Sequence, residues 1–264
     1  MSAEAPAQLI AALAAGTVEL VDLTQPLSEQ TVVMRVPAPF VNTRPLRMTE
    51  ISRYDDRGKR WYWNDLELGE HIGTHVDAPV HWVSGQDGHD IASVPLEQLV
   101  GPAVVLDCTA QVADDPNYLV DLDHLQAFEA EIGGFPAGGW LLVHSGWDRR
   151  AGSAAEFLNN AGGMPQTPGM APGAARYLAD SPLMGIGVET VGTDAGLSPT
   201  FDPPTPVHHH MLGAGKCGVT SLTNLDRLPT VGVMVVVAPL RLVNGSGSPA
   251  RVIAFVPSEA RPSR

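Results

Sequence analysis

Basic residues are scarce in this chain. Among 264 residues, 16 are Lys or Arg against 29 Asp or Glu, which gives a formal net charge of −13. A surface of that sign repels nucleic-acid phosphates, and no Lys/Arg cluster offers a local exception, so nucleic acid is excluded as a partner. Charged residues of both signs make up only 17 %, below the usual ~25 %. Cysteine is limited to Cys108 and Cys217, and neither stands in a CxxC pair, so a structural zinc ribbon is excluded. Two buried thiols in a reducing compartment are expected rather than a disulfide. No window of 18 uninterrupted apolar residues occurs, so no membrane-spanning helix is predicted. The opening MSAEAPAQLIAALAAGTVEL lacks the basic start of a signal peptide. A cytoplasmic protein with a small-molecule substrate and no membrane partner is therefore expected. No GxSxG elbow is present and neither cysteine has motif context, which argues against covalent acyl transfer.

What is there is apolar and turn-rich. The apolar fraction is 44 %, with 27 Gly and 23 Pro. That mix predicts many turns and ordered loops rather than long surface helices. No repeat, low-complexity run or composition shift divides the chain, so residues 1–264 are expected to form one domain. AQLIAALAA near the start reads as a helix, and VELVDLTQPL as a strand running into a turn. Residues 28–60 read as irregular. RWYWNDLEL alternates like a strand, and GPAVVLDCT, GGWLLVHSGWD, LMGIGVET, VGVMVVVAPLRLV and RVIAFV read as buried strands. DLDHLQAFEAEIG and MAPGAARYLAD read as helices, the first stopping at Gly133-Gly134 and the second carrying Pro172 in its first turn. The residues after PVHHH, up to the VGVMVVV strand, suggest no strand. Strands and helices mix without strict alternation. The expected class is α/β, a mixed sheet or partly closed barrel with flanking helices.

The densest chemistry lies in HIGTHVDAPVHW, residues 71–82. His71, His75, Asp77 and His81 are all odd-numbered, as on one strand face. Yet at ~3.3 Å per residue a straight strand would separate His71 from Asp77 by about 20 Å. Imidazole and carboxylate ligands must lie ~2.0–2.2 Å from one ion. If the cluster binds a single ion, the backbone has to bend inside the motif. Gly73 is the natural bend, Thr74 can brace it, and Pro79 ends regular pairing. A helix would also align His71 with His75, but the glycine and the Val-Pro-Val residues argue against one, and no Glu stands between the histidines as in HExxH. His81, beyond the proline, is expected to face the ion without binding it, as a general acid/base.

HIGTHVDAPVHW resembles the HxGTHxDxPxH(F/W) signature of the cyclase-like metal-dependent hydrolases, a family that includes bacterial kynurenine formamidase and isatin hydrolase. VDLTQPL, VHSGWDRR and PVHHHMLGAGKCGVTSLTNLDRL resemble further family segments more weakly. The resemblance implies a swivelling β/β/α fold, a homodimer or homotetramer, and a Mn or Zn site. It implies His71, His75 and Asp77 as ligands and His81 as the acid/base. The family's late histidine, twelve residues before a late glutamate, falls at His208, and His208 is implied as a further ligand or a substrate contact. The glutamate position itself holds Thr220. Threonine ligates these ions poorly, so one divalent ion per chain is expected rather than two.

The implied chemistry is hydrolysis of a small cyclic amide or imide, or of an aryl formamide, through a metal-bound water with His81 as general acid/base. Loss of the glutamate favours an activity like that of isatin hydrolase. Kynurenine formamidase and lactone hydrolysis are the alternatives, and a non-catalytic metal- or ligand-binding protein is the alternative of another class. Trp63, Trp82 and His209 are candidate substrate contacts. The aromatics can stack on a planar ring or pack in a core or oligomer interface, and Trp140 and Trp147 share that ambiguity. Glu189 or Asp194 is a candidate to orient a ligand histidine.

Overall fold

A computed structural model describes residues 4–36, 38–160 and 165–258. The long apolar runs of the sequence form strands of one closed barrel. Its strands are β4 (His75–Asp77), β5 (Val100–Asp107), β7 (Trp140–His144), β9 (Gly185–Val188), β10 (Cys217–Thr220), β11 (Val233–Pro239) and β12 (Gly247–Pro257). Around the ring the order is β12-β11-β5-β7-β9-β10-β4, and β4 closes it by pairing with β12. β5, β7 and β9 run parallel, as does β10 beside β9, while the remaining pairs are antiparallel. β1 (Val18–Asp22) lies outside the ring on β12. Two small sheets complete the strands: the hairpin β2 (Arg47–Arg53) with β3 (Tyr62–Glu67), and the short pair β6 (Leu119–Val120) with β8 (Gly169–Met170).

The barrel explains why its parallel strands read as unbroken apolar runs. Successive side chains point to opposite faces, and both faces are covered. Ala103, Val105, Trp140 and Leu142 fill the barrel interior with Val235 and Val252. Their neighbours Val104, Leu106, Leu141 and Val143 meet the helix layer at Leu125, Phe128, Ala174 and Leu178. The helices are α1 (Glu4–Ala15), α2 (Leu96–Leu99), α3 (Thr109–Asp114), α4 (Leu122–Ile132), α5 (Ala154–Leu158) and α6 (Pro172–Asp180). α4 starts where Asp121 accepts the His124 amide and stops at left-handed Gly133, as the sequence predicts.

Two stretches depart from the sequence reading. Residues 28–60 contain β2, whose polar residues carry no burial signal and which forms by pairing with β3. The segment after PVHHH contains β10, four buried residues too short and glycine-containing for a pattern to show. Cys108 and Cys217 are both buried and free. No helix of the described residues is long and apolar enough to cross a membrane.

Candidate metal centre

HIGTHVDAPVHW folds in three short pieces. Gly73 takes φ +59°, a left-handed conformation that suits glycine alone among ordinary choices here. β4 follows, and then Pro79–His81 forms a 3-10 turn with the proline in its first position. These bends bring the four side chains together. The His71 and His81 rings stack with centroids 3.9 Å apart, and His71 meets His75 edge-on at 5.2 Å.

Asp77 is the hub. Its Oδ1 lies 2.8 Å from His71 Nδ1 and 3.4 Å from His75 Nε2, and its Oδ2 lies 3.6 Å from His208 Nε2. Burial opposes ionisation of Asp77, but its hydrogen bonds with His71 and His75 outweigh that and hold the carboxyl well below its ordinary range.

The partners of each ring fix which nitrogen faces the hub. His75 Nδ1 lies 2.8 Å from the Gly73 carbonyl, which can only accept, so Nδ1 donates there and Nε2 is the nitrogen that faces Asp77. Ser246 Oγ donates its single hydrogen to Glu70 Oε2 at 2.6 Å, so it accepts from His71 Nε2 at 2.9 Å, and Nδ1 is the nitrogen that faces Asp77. Asp194 accepts from His208 Nδ1 at 2.5 Å and from the amides of Val207 and His208. Three imidazole nitrogens are thereby turned toward one carboxylate by a carbonyl, a hydroxyl and a second carboxylate, the support that metal-binding histidines receive. The donor set suits Zn or Mn, and the residues present fit a divalent ion.

The sequence set His81 apart from the ligands, and the structure brings it close to them: one donor atom each from His71, Asp77 and His81 lies within 4.8 Å of the others. Burial pushes the His81 imidazole down to about 4, against the pull of the Asp77 charge, so it is neutral at pH 7. His208 behaves in the opposite way. Burial works to lower it, but the Asp194 hydrogen bond and the charges of Asp194 and Asp77 outweigh that and raise it. His208 also opens a single π-helical turn, His208–Leu212, an irregularity common at functional sites.

The cluster forms one pole of a cavity of about 450 Å³. The other walls are apolar, among them Val32, Met34, Val41, Trp82, Val191 and Ala195, with uncharged Asn42, Thr43 and Thr167 between. Among the described residues, no Lys or Arg lines it.

The Cyclase family model matches residues 21–195, more than half of the chain and the whole of the motif. The chain belongs to the cyclase family. Isatin hydrolase of Roseibium aggregatum is 41 % identical over 251 residues, covering 94 % of this chain and 95 % of that protein. The crystal structure of an isatin hydrolase bound to the product analogue thioisatinate superposes with a TM-score of 0.95 at 40 % identity, over 98 % of this chain and 100 % of that one. Kynurenine formamidase of Salinibacter ruber is more distant, 26 % identical over 89 % of this chain and 96 % of that protein.

Measured against the cyclase-family motif, the structure brings His71, His75, Asp77, His81 and His208 together. Thr220 pairs with His75 across the β10–β4 ladder and puts its hydroxyl 3.1 Å from His75 Nδ1. The cavity is thus left with Asp77 and Asp194 as its carboxylates among the described residues. Trp82 lines the cavity, its ring 4.7 Å from that of His208. Trp63 does not, because it stands on the projecting hairpin and is 54 % exposed. His209 does not either. It follows His208 in the π-turn, so its ring points elsewhere, against His210, and its carbonyl accepts from Ser84. Trp140 and Trp147 are fully buried packing residues. Of the two candidate acids, Asp194 orients a histidine. Glu189 instead accepts from the amides of Ser145 and Trp147 and the Ser145 hydroxyl. Sequence reasoning missed Ser246 and Glu70. Only the adjacency of Glu70 to His71 could have signalled either.

Proposed function

We propose that this chain hydrolyses isatin or a close relative of it, opening a small, neutral, planar cyclic amide at a single divalent ion, Mn or Zn. The observation that carries the reading is the cavity itself. A cluster able to hold a metal sits at one pole, and the remaining wall is apolar or uncharged. N-formylkynurenine brings an amino-acid head group with both charges, and no Lys or Arg among the described lining residues receives its carboxylate. A fused aromatic ring needs no such partner. The identity to isatin hydrolase supports the same choice.

His71 Nδ1, His75 Nε2 and Asp77 Oδ1 are the ligand atoms we assign, since both imidazole nitrogens face that carboxylate oxygen. When bound, a divalent ion supplies an acidified water and polarises the substrate carbonyl. His81, neutral and stacked beside His71, accepts the proton released as water adds to the carbonyl carbon. It returns that proton to the departing ring nitrogen as the C–N bond breaks, leaving an amine and a carboxylic acid that releases its own proton to solvent as the carboxylate forms. His208, held by Asp194, presents Nε2 on the Oδ2 side of Asp77, as a further ligand or a contact for the developing charge. Trp82 offers a ring face for the arene.

We further infer a homodimer or homotetramer built from single-domain chains. Hairpin β2–β3 exposes Trp61, Tyr62, Trp63 and Leu66, and a two-stranded hairpin is marginal on its own in water. The free buried thiols suit a reducing cytoplasm. The test of function is turnover of isatin, N-formylkynurenine and a simple lactone by metal-loaded protein. Isatin is expected to be opened with the highest kcat/KM. Metal binding with no turnover of any of them would favour a non-catalytic binding protein.

A further inference from the structure

The cavity above is not the only built depression. A separate cleft of about 260 Å³ lies at the C-terminal ends of the parallel strands β5 and β7, lined by Thr109, Val112, Ala113, His144, Arg149 and Arg150 among others. It shares no lining residue with the metal cavity.

Three features mark this cleft. First, the ring of His144, a buried residue, makes no hydrogen bond among the described residues. Its Nδ1 is 3.7 Å from Asp107 Oδ2 and its Nε2 is 4.0 Å from Glu189 Oε1. Second, Oε1 of fully buried Glu189 has no hydrogen-bond partner among the described residues, and faces only the His144 ring at 4.0 Å. Third, neither Arg149 nor Arg150 has an acidic partner among the described residues, and Arg150 lies flat over the Trp147 ring at 4.1 Å. Two acids beside the cleft are partly engaged elsewhere. Asp148 Oδ2 accepts from Thr223 and Asn224, and Asp107 Oδ1 accepts from the Thr109 amide and hydroxyl. In a chain of net charge −13, two guanidinium groups without an acidic partner among the described residues stand at this cleft beside the His144 imidazole. Guanidinium forks match a carboxylate in two parallel hydrogen bonds. Val112 and Ala113 supply an apolar wall, and the volume falls below the roughly 300–1,000 Å³ of drug-sized ligand sites.

We infer that the cleft formed by Arg149, Arg150, His144 and the Val112–Ala113 wall is a second binding site, for a small carboxylate with an apolar body. The site stands on residues the proposed hydrolysis does not use, so it can fail without that reading failing, and the reverse also holds.

Sodium benzoate is the probe. It is titrated calorimetrically into metal-loaded wild type and into Arg149→Gln and the double variant Arg149→Gln/Arg150→Gln, with inorganic phosphate as a second titrant. The single variant guards against loss of the Trp147 cover. Benzoate is expected to bind at least tenfold more weakly to the double variant and several-fold more weakly to Arg149→Gln, with melting temperature and isatin turnover unchanged. Equal benzoate affinity in all three proteins would place the binding elsewhere and overturn the site. Binding of phosphate without benzoate would overturn the carboxylate assignment.

Discussion

Gly247→Ala puts the geometry of the metal centre at risk through a single methyl group. Gly247 opens β12 where that strand closes the barrel, paired with Asp77 of β4. A Cβ there would lie 2.4 Å from the Val76 carbonyl oxygen and 2.6 Å from His71 Cε1. Neither neighbour yields cheaply. Val76 O belongs to the buried β4 backbone, and the His71 ring is held at both nitrogens by Asp77 and Ser246. Overpacking of this kind costs about 1–3 kcal/mol of stability. If the ring gives way instead, its Nδ1 leaves Asp77, and changes of that sort lower metal affinity by about 10–100-fold, or about 1.4–2.8 kcal/mol. Calorimetric titration of stripped protein with Mn or Zn, together with a thermal melt, reads both outcomes. A variant with wild-type metal affinity and wild-type melting temperature would refute the placement of His71 against Gly247 and with it the assigned ligand set.

Ser246→Ala should lower metal affinity by a similar 10–100-fold with little change in fold, because it frees the His71 ring while removing only a hydroxyl; unchanged affinity would show that the Glu70–Ser246–His71 string is ornamental. Trp82→Ala should raise KM for isatin more than it lowers kcat, since the ring lines the cavity but holds no proton; an equal loss in kcat alone would assign it to the chemical step. The Glu189 carboxyl is pushed up to about 7 from its ordinary 4.5 by burial, with help from the Asp148 charge. The folded state therefore binds that proton more tightly than the unfolded state. Below about pH 4.5 it imposes no penalty, and as pH rises to about 7 it removes about 3 kcal/mol of stability. Glu189→Gln should accordingly be more stable than wild type at pH 8 and no more stable at pH 4.5 in urea unfolding; a difference of the opposite pH trend would contradict the buried, raised carboxyl.

The legible part of this protein was written in local terms. Gly73 between two histidines, and Pro79 after the aspartate, announced a bend that the strand spacing required, and the structure places the bend there. The buried strands β5, β7, β9 and β11 showed themselves because both barrel faces are covered, which makes apolar runs continuous. Closure of the ring was not legible. It rests on Gly247, Ser248 and Pro249 pairing with β4 across the length of the chain, and no local pattern records a partner that distant. β10 escaped notice for a related reason: four residues, Cys217–Thr220, gain strand form from neighbours on both sides rather than from propensity. The support around the site divides the same way. Asp194 stood out as an acid near a family segment, but nothing linked Ser246 to His71 before folding. Trp63 misled because closeness in sequence to the motif was read as closeness to the cavity, whereas hairpin β2–β3 carries it out to solvent.

The central claim is a one-ion hydrolytic site in which His71, His75 and Asp77 bind and His81 moves the proton. Elemental analysis of purified wild type, His75→Ala and His81→Ala, paired with isatin turnover, tests it most directly. The expected result is one ion per chain in wild type, loss of the ion in His75→Ala, and one ion with no turnover in His81→Ala. An ion lost from His81→Ala and kept in His75→Ala would contradict it, making His71, Asp77 and His81 the ligands and removing His81 as the acid/base.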